Sequence, residues 1–295
     1  MQFKMFSFSA TIFKILADSH NNFLAIEIRN SELKEVSFAV IDLQTHTLQL
    51  EETGFEEAWR VGLSAMEQGK LFLHTYTDSR LPDKKGIYAI DIVNQTVLWE
   101  QSSWSFEKFY LQLQTTLSNI AQNILLGAFC YENGEKKTCF INLENGEISK
   151  NDEKSENIKP FATKNFTETY FYSPESEYFN TILSFIKPHF DKTLTWLGFD
   201  YIETEKSLFV LCYYNQISFA NNTDLENNSQ FNLQIHLHLL GFDSEGNKLV
   251  SKLIIDNLSN ILSNDVSRGE IGNRIFLFGN HLVILQNDKT LVIVS

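Results

Sequence analysis

The sequence predicts an all-β chain folded as a β-propeller of about six four-stranded blades, with seven blades as the alternative count. Three observations predict it. A hairpin-like unit recurs at a regular spacing, the units between show strand periodicity only, and the two termini carry complementary halves of one unit. The unit is clearest in GIYAIDIVNQTVLWE (86–100): an alternating apolar run, Asp91, a polar turn and a second apolar run. FAVIDLQTHTLQLEE (38–52) aligns to it without a gap, placing Asp42 on Asp91, Leu43 on Ile92, Leu48 on Val97 and Leu50 on Trp99. TCFINLENGEISKN (138–151), with Asn142, Leu143 and Ile148, and LLGFDSEGNKLVSK (239–252), with Asp243 and Leu249, are further copies. Alternation with a period of two on both sides of the turn is the strand signal. An Asp or Asn that opens the turn can accept its backbone N–H groups.

Spacing orders the units. Asp91 lies 49 residues after Asp42, and Asn142 lies 51 after Asp91. Asn142 and Asp243 are 101 apart, so a further copy is expected near position 192. FIKPHFDKTLTW (185–196) lacks the pattern and is read as a degenerate copy. Blades are expected at about 11–52, 57–101, 106–152, 160–192, 193–254 and 265–295. LFLHTYT (71–77) and ILLGAFCY (124–131) are the second strands of the second and third blades. NDEKSENIKP (151–160) reads as a linker, and the Asn-rich SFANNTDLENNSQ (218–230) as a long loop insertion.

The last blade is one strand short. TLVIVS (290–295) resembles the first half of the hairpin and stops, whereas KMFSFSA (4–10) precedes the first full unit and is strand-like. An interior strand needs a neighbour on each edge for its N–H and C=O groups. A strand within residues 2–10 is therefore expected to pair with one within 290–295, closing a single domain over 1–295 and removing open edges. Two β-sandwich domains or a stacked β-solenoid are the architectures this competes with.

IYAIDIVNQTVLWE (87–100) resembles the propeller repeats of quinoproteins, in which a strand ending in a YALD-like motif precedes a turn and an LLW-like strand. The chain is also similar to a family of uncharacterised bacterial propeller-like proteins, which implies no known activity. The quinoprotein dehydrogenases carry eight blades and commonly a vicinal Cys pair, which this chain lacks, so their quinone cofactor and calcium are not carried over. Trp-Asp repeats fit poorly, because Glu100 follows Trp99.

Composition narrows the function. Apolar residues make up 43% of the chain, with 25 Phe against 4 Pro, enough for a large core. No run approaches the roughly 18 apolar residues of a membrane helix. No signal peptide is legible, which points to the cytoplasm. Cys130, Cys139 and Cys212 show no metal-binding spacing and read as reduced strand residues, with Cys130 and Cys139 on neighbouring strands. The net charge of −13 opposes a nucleic-acid backbone, and no basic stripe is present. The acidic EETGFEEAW (51–59) reads as a solvated loop.

Candidate site residues are few. DVSRGEIGNR (265–274) gathers Asp265, Arg268, Glu270 and Arg274 with two Gly, a polar loop that could enter a channel mouth. Its bland alternative is a turn with surface ion pairs. His236 and His238 in IHLHL (235–239) share one strand face, the spacing a metal pair needs, although that face could be only the polar side. His20, His46, His74, His189 and His281 show no carboxylate or Cys at ligand spacing. No nucleophile elbow, phosphate loop or dinucleotide fingerprint occurs. These readings favour a monomeric, non-catalytic binding or scaffolding propeller without cofactor, holding a protein, peptide or small ligand. The alternative is a propeller hydrolase or lyase with its site in the central channel.

Overall fold

The computed structural model describes residues 2–18, 20–52, 58–76, 84–115, 120–150, 158–161, 166–190, 194–216, 234–255 and 274–295. The chain divides into two compact units, Phe8–Asn165 and Met1–Ser7 with Phe166–Ser295. Strand β1 (Phe3–Ser7) belongs to the latter. In the former, β2 (Thr11–Ala17), β3 (Phe23–Asn30), β4 (Glu35–Asp42) and β5 (Thr47–Glu52) form an antiparallel meander. Strands β6 (Val61–Glu67), β7 (Lys70–Tyr76), β8 (Lys84–Asp91) and β9 (Thr96–Gln101) repeat it. So do β10 (Ser105–Thr115), β11 (Ile120–Glu132), β12 (Glu135–Asn142) and β13 (Ile148–Lys150), with β14 (Ile158–Pro160) added outside β10.

The other unit continues with β15 (Thr167–Glu168), β16 (Tyr170–Tyr172) and helix α1 (Phe179–Ile186). Then β17 (Thr195–Glu203), β18 (Ser207–Gln216), β19 (Gln234–Asp243) and β20 (Lys248–Ile255) make a fourth meander, edged by β16. Strands β21 (Ile275–Phe278), β22 (His281–Asn287) and β23 (Thr290–Val294) complete a sheet of order β1-β23-β22-β21-β15.

The recurrent Asp or Asn opens the turn between the third and fourth strands of four sheets. Asp42 accepts from the amides of Gln44 (2.7 Å) and Thr45 (3.1 Å). Asp91 accepts from Val93 and Asn94 (2.8 and 2.9 Å), Asn142 from Glu144 (2.8 Å), and Asp243 from Glu245 and Asn247 (2.9 and 2.8 Å). The Asn94 amide bond holds Asp91 below the ordinary carboxylate value, and Asn247 does the same for Asp243. The residue after each of the first three is an apolar plug: Leu43, Ile92 and Leu143 are buried. The equivalence extends to irregularities. The first and second strands slip register between Ile12 and Lys14, Leu63 and Ala65, Phe106 and Lys108, and Trp196 and Gly198, at the same strand pair in four sheets. A bulge increases local twist, so repeating it repeats the sheet's shape.

Sheets pack face to face. Val36, Phe38, Val40 and Leu50 of the first meander meet Val61, Leu63, Leu71 and Leu73 of the second in one core. The opposite face of the second, through Phe72, Ala89 and Trp99, meets Phe109, Leu126 and Ile141 of the third. In the other unit Leu211, Tyr213, Leu237 and Leu239 pack on Ile275, Ile284 and Val292. Direct bonds tie the second and third sheets: Trp99 Nε1 donates to the Leu143 carbonyl (2.9 Å) and Gln101 Nε2 to that of Gly146 (2.9 Å).

Two expectations are corrected. Among the described residues there are five sheets rather than six, and three of them hold five strands rather than four. The expected fourth blade, 160–192, contains α1 instead. Phe179, Ile182 and Ile186 fall on one helix stripe and are buried against Phe199, Val210, Cys212 and Leu240 of the fourth meander. Pro188 just beyond the helix prevents its continuation. The helix thus covers a sheet face, and the doubled spacing between Asn142 and Asp243 reflects that insertion.

The pairing of the terminal strands is present. β1 runs antiparallel to β23, from Phe3↔Val294 to Ser7↔Thr290, and Gln2 exchanges backbone bonds with Ser295 (2.9 and 3.1 Å). Every residue of β23 is buried. Deletion of residues 2–7 is expected to lower the melting temperature by roughly 5 °C or more and to cause concentration-dependent association, because it bares an apolar edge. Calorimetry with light scattering checks both. Gly146 has φ +70°, and a Cβ there would lie 2.7 Å from the Trp99 ring. Gly146→Ala is expected to cost about 2–3 kcal/mol by urea denaturation. Gly134→Ala, also at positive φ (+84°) but with nothing within 4 Å, should cost clearly less.

Candidate functional site

Helix α1 and the outer part of the fourth meander frame a groove. Tyr172 and Tyr201 come from adjacent strands β16 and β17, and Tyr178, Thr181, Ile182 and Phe185 come from α1 and the residue before it. Leu208 and Val210 of β18 form the floor of a cavity of about 410 Å³. Tyr172 meets Tyr178 and Tyr201 edge to face, at 6.3 and 6.1 Å between centroids. Tyr201 donates its hydroxyl to Glu203 Oε2 (3.0 Å). Burial, then that carboxylate, push its phenol up to about 12, so it remains a neutral donor. Phe185 and Leu208 also line a second cavity of about 260 Å³, whose other walls include Glu203, Glu205, Asp243 and Ser207. The two cavities share Phe185 and Leu208 as walls, one being apolar and phenolic and the other carboxylate-rich.

Of the sequence candidates, Asp265, Arg268 and Glu270 lie outside the described residues. Arg274 is described, and its backbone N–H donates to Asp200 Oδ2 (3.1 Å). That buried carboxylate on β17 also accepts from the Tyr213 hydroxyl (2.5 Å). Burial and the Asp200 charge push the Tyr213 phenol well above its ordinary value. His236 and His238 do share a face of β19, but it is an aromatic face rather than a polar one. His236 stacks on Tyr214 (5.3 Å), His238 meets the Phe190 ring (5.0 Å), and His238 Nε2 bonds Ser251 Oγ (2.8 Å). Phe190, just beyond α1, and Tyr214, the cross-strand partner of His236 on β18, supply this aromatic cover, and nothing in the IHLHL spacing encodes it.

The sequence also missed a polar cluster. Asp18, His20 and Glu67 bring one ligand atom each to within 4.8 Å of one another, the only such group of three among the described His, Cys, Asp and Glu residues. Contrary to expectation, His20 has a carboxylate at local spacing, Asp18 two residues before it, and it also contacts Glu67 Oε1 through Nδ1. Asp18 follows β2 and Glu67 ends β6, the same hairpin of neighbouring sheets, 49 residues apart. The repeat period therefore carried the signal, in a part of the unit that the turn motif does not cover.

Residues 17–99 match a family described as a domain of unknown function, DUF4905, well under half of the chain. A comparison with curated proteins finds no match. Among solved structures, a member of the DUF4221 family from Bacteroides vulgatus is 8% identical, covering 99% of this chain and 95% of that one, with a TM-score of 0.31. The β-propeller domain of the Trilobed protease from Pyrococcus furiosus is 9% identical over 84% of both chains (TM-score 0.24). The Myceliophteria thermophila Cps50 (Swd1) β-propeller domain is 9% identical over 99% of both (TM-score 0.27). At such scores these likenesses add nothing to the geometry above. No described helix is long and apolar enough to cross a membrane.

Two histidines give a pH test. Burial first, with nearby lysines, lowers His74 to about 3 and His238 to about 4, both from 6.5. A depressed folded value means that the unfolded chain takes up the proton first as pH falls. Stability from these groups is complete above pH 6.5 and is lost between 6.5 and the folded values. Imidazole NMR titration is expected to find both rings neutral at pH 5, while urea midpoints fall from pH 7 to 5. Ordinary titration of either ring near 6.5 would contradict this.

Proposed function

We propose that the chain is a single β-propeller acting as a non-catalytic binding module. In this reading its groove beside α1 receives an extended peptide bearing an aromatic or aliphatic side chain followed by a basic one. The adjacency of the two cavities, which share Phe185 and Leu208 as walls, carries the proposal. The larger is within the range of ligand pockets, is walled by three tyrosines and aliphatic groups, and offers phenol tips for hydrogen bonds. Tyrosines supply large contact area at small conformational cost. The smaller ends at Glu203, Glu205 and Asp243, and its lining holds no basic side chain, so its field suits Lys or Arg. The acidic chain as a whole favours the same class of partner. Repeated sheet geometry and the β1–β23 pairing support the single propeller.

A positional-scanning hexapeptide library, read by fluorescence anisotropy, tests this. Selection of an aromatic or aliphatic residue followed within two positions by Lys or Arg is expected, weakening with salt. Thr181→Arg places bulk and positive charge at an exposed position of the groove, and should weaken the selected peptide by about tenfold or more without lowering the melting temperature. No selection, or affinity unchanged in Thr181→Arg, would refute the assignment.

A further inference from the structure

We infer that Asp18, His20 and Glu67 form a binding site for a divalent transition-metal ion of the Zn²⁺ type. The inference concerns the unit Phe8–Asn165 alone and does not depend on the peptide groove. Donor chemistry comes first. One imidazole nitrogen and two carboxylate oxygens suit Zn²⁺, Co²⁺ or Mn²⁺, whereas Ca²⁺ and Mg²⁺ prefer sites built of oxygen alone. Ligand atoms already within 4.8 Å of one another need only small side-chain rotations to reach the spacing of donors about 2.0–2.2 Å from a shared ion.

Burial gives the second argument. Asp18 and Glu67 are both fully buried, while the His20 side chain is 45% exposed. Two carboxylates so close in a poorly solvated place repel each other, and one imidazole carries at most one compensating charge. A dication would balance both. The half-exposed imidazole leaves an approach from solvent and room for a water as a fourth ligand.

Orientation gives the third. Asp18 is held by the amides of His20 (2.7 Å), Asn21 (3.2 Å) and Gly69 (2.6 Å), and by Asn21 Nδ2 (3.3 Å). Such bonds keep a ligating carboxylate in place, and the longer ones can yield an oxygen lone pair. The His20 ring stacks on Phe161 at 5.7 Å, which fixes its plane. On loading, the metal replaces the hydrogen bond between His20 Nδ1 and Glu67. The ring's one proton then sits on Nε2, and neutral imidazole ligates through Nδ1.

The full chain, dialysed against chelator, can be titrated calorimetrically with Zn²⁺ and followed with Co²⁺ by visible absorption. One equivalent is expected to bind wild type and raise its melting temperature. His20→Ala, which alters a half-exposed side chain, should weaken binding by about tenfold or more, as should Glu67→Gln. His46→Ala serves as the control and should bind as wild type does. Absence of binding to wild type, or equal affinity in His20→Ala, would overturn the assignment. Should Glu67→Gln fail to fold, His20→Ala alone decides.

Discussion

A four-stranded sheet with apolar residues on both faces cannot stand alone in water. The second meander of this protein shows the constraint plainly. Leu63, Leu71 and Leu73 point to one neighbour, and Phe72, Ala89 and Trp99 to the other. Both faces must be covered, because each exposed leucine or phenylalanine would forfeit about 1.5–3 kcal/mol of burial. Stacking sheet against sheet meets this requirement and makes a repeated sequence unit useful, since one solution to the packing problem serves several times. Where the pattern breaks, the constraint persists. At the fourth meander a helix, rather than another sheet, supplies the cover through Phe179, Ile182 and Ile186.

Turns and edges complete what packing begins. The Asp or Asn that opens each outer hairpin satisfies amides that the ladder cannot reach, and in the first three sheets the apolar residue after it plugs the end of the core. Neighbouring sheets then lock to one another through polar atoms at these turns. Trp99 uses both parts of its side chain: the ring packs over Gly146, and the indole N–H reaches the Leu143 carbonyl. β1 solves the same problem for β23 by covering one of its edges.

The regions with chemical character arise where the repeat is disturbed or where two repeats meet. The groove exists because α1 replaces a sheet and leaves tyrosines at its border. The Asp18–His20–Glu67 cluster exists because one hairpin position, repeated in the adjacent sheet, carries acid in both copies, with a histidine beside the first. Asp200 and Tyr213 show the opposite outcome, a buried acid satisfied inside one sheet and by the backbone of Arg274.

The sequence by itself determined the local events. Alternation places the strands, Asp and Asn mark the hairpin turns, the period shows which copies are equivalent, and the unpaired TLVIVS calls for KMFSFSA as its partner. Each of these depends on residues close in sequence or on counting backbone groups. Tertiary structure alone decided which element covers each sheet face. FNTILSFI (179–186) carries a helical stripe that a search for strands passes over, so the expected fourth blade contains α1 beside short edge strands. It also decided the surroundings of the histidines. His236 and His238 lie on the face predicted for them, yet Phe190 and Tyr214 arrive from other elements and make that face aromatic. Likewise His20 gains Glu67 only because two hairpins 49 residues apart are stacked side by side. Contacts of that kind depend on packing between sheets, which periodicity along one strand does not encode.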